Sequence, residues 1–348
     1  MPESFMQLSV KDQTDILRYY ASIQAERDLE ISEKDLWVCW VLKQLFEMPQ
    51  RLKMAFKGGT SLSKVYNVID RFSEDIDVTL DYRQFEAVSS LGLLEGQTAP
   101  DEIGSGTLRR INKALKSEVQ AYAEDVVAPY LQAQVASLPR SELFEIKVLE
   151  GGEAIQFRYP SVLKERNQYI LGYILIELGG RNIIDPNELW TVQPYMADKI
   201  EEIEFPSSQV TVLSPERTFW EKATLIHVEC HRGVRETAER LSRHWFDLMA
   251  LGNHQIGQQA MQNIPLLNDV VQLKNIFFNA SYAHYDKCLQ GEFLLLPNPD
   301  GLRLLTEDFN KMRQANMLYN SQVDFEHIVA SVRQLQELIN ASVQDHGR

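Results

Sequence analysis

The stretch that decides the fold runs from Phe56 to Leu80, Phe56-Lys57-Gly58-Gly59-Thr60-Ser61-Leu62-Ser63-Lys64-Val65-Tyr66-Asn67-Val68-Ile69-Asp70-Arg71-Phe72-Ser73-Glu74-Asp75-Ile76-Asp77-Val78-Thr79-Leu80. A short apolar step, Met54-Ala55-Phe56, precedes paired glycines and then residues at helical spacing. That order predicts a strand, a glycine turn and a helix reaching about Ile69. From Ile76 to Leu80 the apolar residues alternate with Asp75, Asp77 and Thr79, the period of a strand with one polar face.

Glycines where a helix begins let the backbone approach a ligand closely, and the unpaired N–H groups there favour an anion. Gly58, Gly59, Thr60 and Ser61 are therefore candidate phosphate contacts, and an ordinary glycine turn is the other reading. The spacing is neither that of a P-loop nor of GxGxxG. Asp75 and Asp77, two positions apart on a strand, project from one face. Paired carboxylates repel unless a cation neutralises them, and oxygen donors of this kind suit Mg2+ or Mn2+. The alternative is a solvated edge-strand face. A glycine cradle a dozen or so residues ahead of such a pair is the layout expected of a nucleotidyl-transferring site.

Upstream, apolar residues recur at helical spacing between Val10 and Phe46, which predicts two or more amphipathic helices, with Ser32 as N-cap of the second. Downstream, residues 105 to 135 read as a polar helical insertion. Further strands are expected at Phe144–Leu149, Ala154–Tyr159 and Tyr169–Leu178, set apart by Gly151-Gly152 and Pro160-Ser161. After Pro215 the chain reads as mainly helical, and a loose boundary falls near residue 205, giving units 1–205 and 206–348.

The 348 residues carry Lys+Arg 35 against Asp+Glu 49, a formal net charge of −14, which excludes a wholesale basic nucleic-acid binder. Hydrophobic residues at 44% and charged residues at 24% are the proportions of a folded soluble protein rather than a disordered one. Cys39, Cys230 and Cys288 are far apart and odd in number, which argues against a disulfide framework or zinc ribbon and favours a reducing, cytoplasmic setting. The polar, acidic N-terminal residues and the lack of a long apolar window predict neither secretion nor a membrane span.

His227 and His231 are four apart on an expected helix, but their order fits neither HExxH nor HxxEH. Trp37, Trp40, Trp220 and Trp245 fall among apolar residues and read as core. The run His231–His244, with Arg232, Arg235, Arg240 and Arg243 against Glu236 and Glu239, is open between a helix with internal ion pairs and a phosphate-contacting strip. Arg71 and Glu74 lie inside the decisive stretch and are open between a supporting and a functional role.

The run Phe56–Leu80 resembles the signature of AbiEii/AbiGii-type nucleotidyltransferase toxins, members of the DNA polymerase β-like nucleotidyltransferase superfamily. Two later segments resemble the family's in order: Ser214-Pro215-Glu216-Arg217-Thr218-Phe219-Trp220-Glu221-Lys222 and Arg243-His244-Trp245-Phe246-Asp247-Leu248. The second departs from the common RDLYDL pattern, since His244 stands in place of the first acid while Asp247 is kept. The resemblance implies an α+β fold. It consists of a polymerase β-like core with a mixed sheet, flanking helices and an N-terminal helical cap, and a mainly helical C-terminal region closing the cleft.

By position the resemblance further implies that Gly58, Thr60 and Ser61 hold the phosphates of an NTP and that Lys64 helps neutralise them. Asp75 and Asp77 would bind Mg2+ or Mn2+. Glu177, a lone acid in an apolar strand, would be the third metal carboxylate, with Glu145 and Asp185 as rivals. Lys222 would meet phosphate charge and Asp247 would orient the lysine or the acceptor. The activity implied is pyrophosphate-releasing transfer of a nucleoside monophosphate to RNA, transfer RNA for some members, by the toxin of a toxin–antitoxin or phage-defence (abortive infection) pair with a cognate antitoxin protein. A small-molecule or protein acceptor, and a silent NTP-binding regulatory module, are the alternatives.

Overall fold

The structure, a computed structural model, describes residues 3–24, 28–89, 104–163, 170–237, 239–319 and 322–346. The chain divides into two compact units, one made of residues 1–65, 72–92 and 111–213, the other of 66–71, 93–110 and 214–348.

The first unit begins with β1 (Glu3–Ser4), α1 (Val10–Ile23) and α2 (Leu29–Glu47). The decisive stretch follows as β2 (Met54–Lys57), α3 (Gly58–Lys64), β3 (Ile76–Asp81) and the short α4 (Glu86–Ser89). Next come α5 (Ser105–Tyr122), counted with this unit from Ile111, and α6 (Ala128–Val135), joined by a π-helical turn at Ala123–Val127. The remaining strands are β4 (Glu145–Val148), β5 (Ala154–Arg158), β6 (Ile174–Asn182), β7 (Asn187–Val192), β8 (Ile203–Glu204) and β9 (Ser208–Leu213).

Seven strands form one mixed sheet in the order β4-β5-β6-β3-β2-β9-β7, and β1 pairs with β8 in a separate parallel pair. The pairs β3–β6 and β2–β9 are parallel and the other pairs of the large sheet antiparallel. This places β3 in the middle of the sheet, where Ile76, Val78 and Leu80 are fully buried. Trp37 and Trp40 of α2 pack with Phe157 on β5, and Trp37 also meets Phe144 and Tyr159.

Several sequence expectations change. α2 starts at Leu29, not after Ser32: Asp28 is the cap, accepting from Glu30 N–H at 2.8 Å, and the Ser32 hydroxyl donates back to the Asp28 carbonyl. Nor is α2 amphipathic, because Glu33, Lys34 and Asp35 are as buried as Leu36 and Val41. α3 stops at Lys64 rather than near Ile69, and Asn67 sits beyond it in the left-handed region at φ 50°, which a helix cannot pass through. β6 opens at Ile174; Tyr169, expected to begin it, lies outside the described residues. β7 and β9 were not expected, and β9 carries the first unit past residue 205 to Leu213.

The second unit is helical: α7 (Pro215–Arg232), α8 (Arg243–Asn253), α9 (Gln255–Gln262), α10 (Ile264–Phe277), α11 (Tyr285–Leu289), α12 (Pro299–Gln314) and α13 (Phe325–His346). Ser214 caps α7 by accepting from Arg217 N–H, with Pro215 at the first helical position. Trp220 and Trp245 are fully buried, and each satisfies its indole N–H on a backbone carbonyl, of Ala260 and Leu295. The segment 66–71 joins this unit, with Asp70 accepting from Tyr319 N–H at 3.0 Å. The three cysteines are free thiols, and among the described residues no helix is long and apolar enough to cross a membrane.

Candidate active site

In the first unit the site begins at Gly58, which opens α3 at φ 81°. A Cβ built on Gly58 would lie 2.0 Å from Oδ2 of Asp77, so glycine is required both by backbone conformation and by what it touches. The antiparallel register that pairs Lys57 with Asp77 creates this approach. Gly58→Ala is expected to displace the Asp77 carboxylate and cut transfer at least about a hundredfold, which single-turnover kinetics would measure.

The hydroxyls of the turn are spent on the protein itself. Thr60 donates to the Asp75 carbonyl at 2.5 Å and lies 2.9 Å from the Ser73 hydroxyl, while Ser61 donates to the Gly58 carbonyl at 2.9 Å. These bonds tie the start of α3 to the residues that lead into β3. What the turn has left for a ligand is the first backbone N–H groups of α3, which have no acceptor within the helix.

Lys64 is placed differently from the expectation that it meets phosphate. Its ammonium is buried, ion-paired with Asp35 and 3.8 Å from the centre of the Tyr195 ring. Burial, the largest single influence, would lower its affinity for a proton, but Asp35 together with Cys39 and Tyr195 outweighs this and pushes it up.

Asp75 is buried just ahead of β3, whereas Asp77 lies within the strand and is half-buried. Across the parallel ladder Asp77 is in register with Glu177 on β6, so the two carboxylates leave the sheet as neighbours on one face, with Glu177 exposed. Of the rivals, Glu145 lies on edge strand β4 beside Arg158 at 3.3 Å, and Asp185 accepts from Arg83 at 2.7 Å.

Among the described residues no three His, Cys, Asp or Glu side chains gather as a ready-made metal cage. Two adjacent carboxylates nevertheless fit a hard divalent cation of the kind that binds through one or two carboxylates and completes its shell with water and substrate phosphate.

In the second unit Asp247 on α8 is fully buried and accepts a two-pronged pair from Arg71, Nε to Oδ1 and Nη2 to Oδ2, both at 2.7 Å. Lys222 on α7 reaches the same Oδ2 at 2.8 Å. Burial by itself would raise the Asp247 carboxyl, but Arg71 and Lys222 override it and hold the group well below the usual carboxylate range. Lys222 is pushed down from the ordinary lysine range, first by burial and also by Arg71 and Arg243, and Asp247 does not fully offset this. His244 is driven well below its ordinary value by burial, Lys222 and Arg243, so it stays neutral where the family's common pattern has an acid. Arg71 and Lys222 thus share the Asp247 carboxylate, and the charge of Arg243 is felt by Lys222 and His244.

Arg71 is the member that sequence reading left undecided. Its partner Asp247 is 176 positions away, and no local pattern announces a pair of that separation.

The histidines of α7 serve packing. His227 Nδ1 accepts from Leu294 N–H at 3.0 Å, which leaves Nε2 to donate to the His284 carbonyl at 3.1 Å, and the His231 ring meets His227 edge-on and His284 at a tilt. Burial is the main cause that lowers the His227 pKa to about 4. The folded state thus refuses a proton that the unfolded chain takes at about 6.5. Stability is therefore expected to be full above that value and to fall as pH drops from about 6.5 toward 4, read as the urea midpoint across that range.

The arginine run of 231–244 is not one helix face, because α7 ends at Arg232 before Gly233 at φ 87°, and Asp308 binds the backbone of Arg240 and Ser242.

The chain is a nucleotidyltransferase by its family. A family described as the nucleotidyl transferase AbiEii toxin of type IV toxin–antitoxin systems matches residues 40–331, and the chain belongs to that family. Its substrate class is therefore an NTP and its genetic partner an antitoxin. Among solved structures the chain is similar to MenT4, a nucleotidyltransferase toxin from Mycobacterium tuberculosis H37Rv, at 16% identity and a TM-score of 0.44, over 94% of this chain and 98% of that one. A search of curated protein sequences finds no match.

Proposed function

We propose that this toxin transfers a nucleoside monophosphate from an NTP to an RNA acceptor, transfer RNA being the first to test, with pyrophosphate leaving. The observation that carries the reading is the contact of Gly58 with the Asp77 carboxylate, which joins a glycine turn to a carboxylate strand. The backbone of Gly58, Gly59, Thr60 and Ser61 receives the phosphates. Asp77 and Glu177, with Asp75 two residues before Asp77, would hold Mg2+ or Mn2+, which supplies charge neutralisation at the transferring phosphoryl group. Lys222 meets phosphate charge, and Asp247, itself braced by Arg71, orients it.

An RNA acceptor is supported by α5, where Arg109, Arg110, Lys113 and Lys116 are exposed and no acid occurs from Gly104 to Ser117, although Lys116 also lies 4.0 Å from Glu153. In a chain of net charge −14 such a local row suits a phosphate backbone. The test is incubation of the protein with each α-phosphate-labelled NTP, Mg2+ or Mn2+ and total RNA, beside an Asp75→Asn/Asp77→Asn variant. RNase-sensitive label only with the intact aspartates is the expected result; RNase-resistant label would move the acceptor to a small molecule or protein.

A further inference from the structure

The least expected feature of the first unit is a run of three charges, Glu33, Lys34 and Asp35, buried on α2, of which Lys34 is completely enclosed. Each grips a different segment. Glu33 accepts from the Ser161 hydroxyl and Val162 N–H at 2.6 and 2.7 Å. Asp35 takes Lys64 from the end of α3 and Tyr195 N–H at 2.8 Å. The Lys34 ammonium donates to Glu74 Oε2 at 2.5 Å and to the Leu171 carbonyl at 2.6 Å, and the same Glu74 oxygen accepts from Leu171 N–H at 3.3 Å.

Glu74 immediately precedes Asp75 and the start of β3, and Leu171 lies three residues before β6. These are the adjacent parallel strands that carry Asp77 and Glu177 in register. A buried ion pair is a poor way to gain stability, since well-packed apolar residues of similar volume do as well or better. Its distinctive product is a fixed position for the groups it joins. We propose that Lys34 is a positioning residue, a buried ammonium that locks the start of β3 to the start of β6 and so sets the spacing of Asp77 and Glu177. The proposal rests on the reading of those two carboxylates as the holders of a divalent ion. Groups that orient metal ligands from behind change metal affinity by about 10–100-fold when removed.

The test uses the full chain, Mn2+ alone as probe followed by electron paramagnetic resonance, and amide hydrogen exchange at Ile76–Thr79. The apolar double variant Lys34→Met/Glu74→Leu removes both members of the buried pair together and is expected to fold. It should bind Mn2+ at least about tenfold more weakly and exchange faster at Ile76–Thr79. Glu74→Gln keeps an oxygen for both Lys34 and Leu171 and should bind within about threefold of the original chain. Unchanged Mn2+ affinity in the double variant overturns the proposal. So does a loss in Glu74→Gln as large as in the double variant, because charge rather than grip would then be responsible; this arm decides alone if the double variant does not fold. If the original chain binds no Mn2+, the metal reading fails, and hydrogen exchange decides the grip by itself, with unchanged protection in the double variant refuting it.

Discussion

Asp77→Asn should reduce nucleotidyl transfer by about a thousandfold or more while leaving the folded state as stable as before, or slightly more so. Both halves follow from where Asp77 sits. Its carboxylate borders the glycine that opens α3 and stands in register with Glu177, so it is the acid shared by the turn and the strand pair. Charge neutralisation by a bound divalent ion contributes several kcal/mol at a phosphoryl transition state, and each 1.4 kcal/mol is a factor of ten. Asparagine keeps the shape that fits against Gly58 but removes the negative charge. The same removal relieves the repulsion between neighbouring carboxylates, which costs stability when no cation is bound. Single-turnover transfer and a thermal melt without divalent ion read the two effects. Substantial transfer by the variant would sink the assignment, and a markedly lowered melting temperature would show that Asp77 is structural.

What the sequence discloses of this site depends on how local each signal is. The order β2, α3, β3 was legible because glycines punctuate it and because the residues of β3 alternate with period two. The length of α3 was not, since its end is set by Asn67 adopting a left-handed conformation that many asparagines do not take. β7 has no buried face along Asn187–Thr191, so no alternation marks it as a strand. β9 does alternate, Gln209 and Thr211 against Val210 and Val212, and that signal was available but lay close to the expected boundary.

Charged residues are misread for a related reason. Glu33, Lys34 and Asp35 look like the wet face of an amphipathic helix until their partners are known, and those partners come from positions 74, 161, 171 and 195. The resemblance sets Lys64 beside phosphate, and its pairing with Asp35 is a tertiary fact that the stretch does not announce. The roles of Gly58 and Asp77 could be named from the stretch itself, whereas the braces behind them could not.

Asp247→Ala should be the most damaging single change in the second unit. Arg71 and Lys222 both end on this one buried carboxylate, with Asp247 fully enclosed and Arg71 only 3% exposed. Removing it strips both buried cations of the carboxylate they share, beside a third cation, Arg243. Breaking a buried pair from one side costs about 3–5 kcal/mol, because the stranded charge stays desolvated. Lys222, already pushed below the lysine range, would fall further and give up its proton more easily. Transfer is then lost twice over, through a less stable unit and through a lysine neither charged nor aimed. The gentler Asp247→Asn separates these effects, because an amide oxygen still accepts from Arg71 while the charge is gone. It should restore much of the fold, measured as the urea midpoint, without restoring transfer. If Asp247→Asn recovered both together, Asp247 would be a structural brace, and the role given to Lys222 would have to be met by another cation.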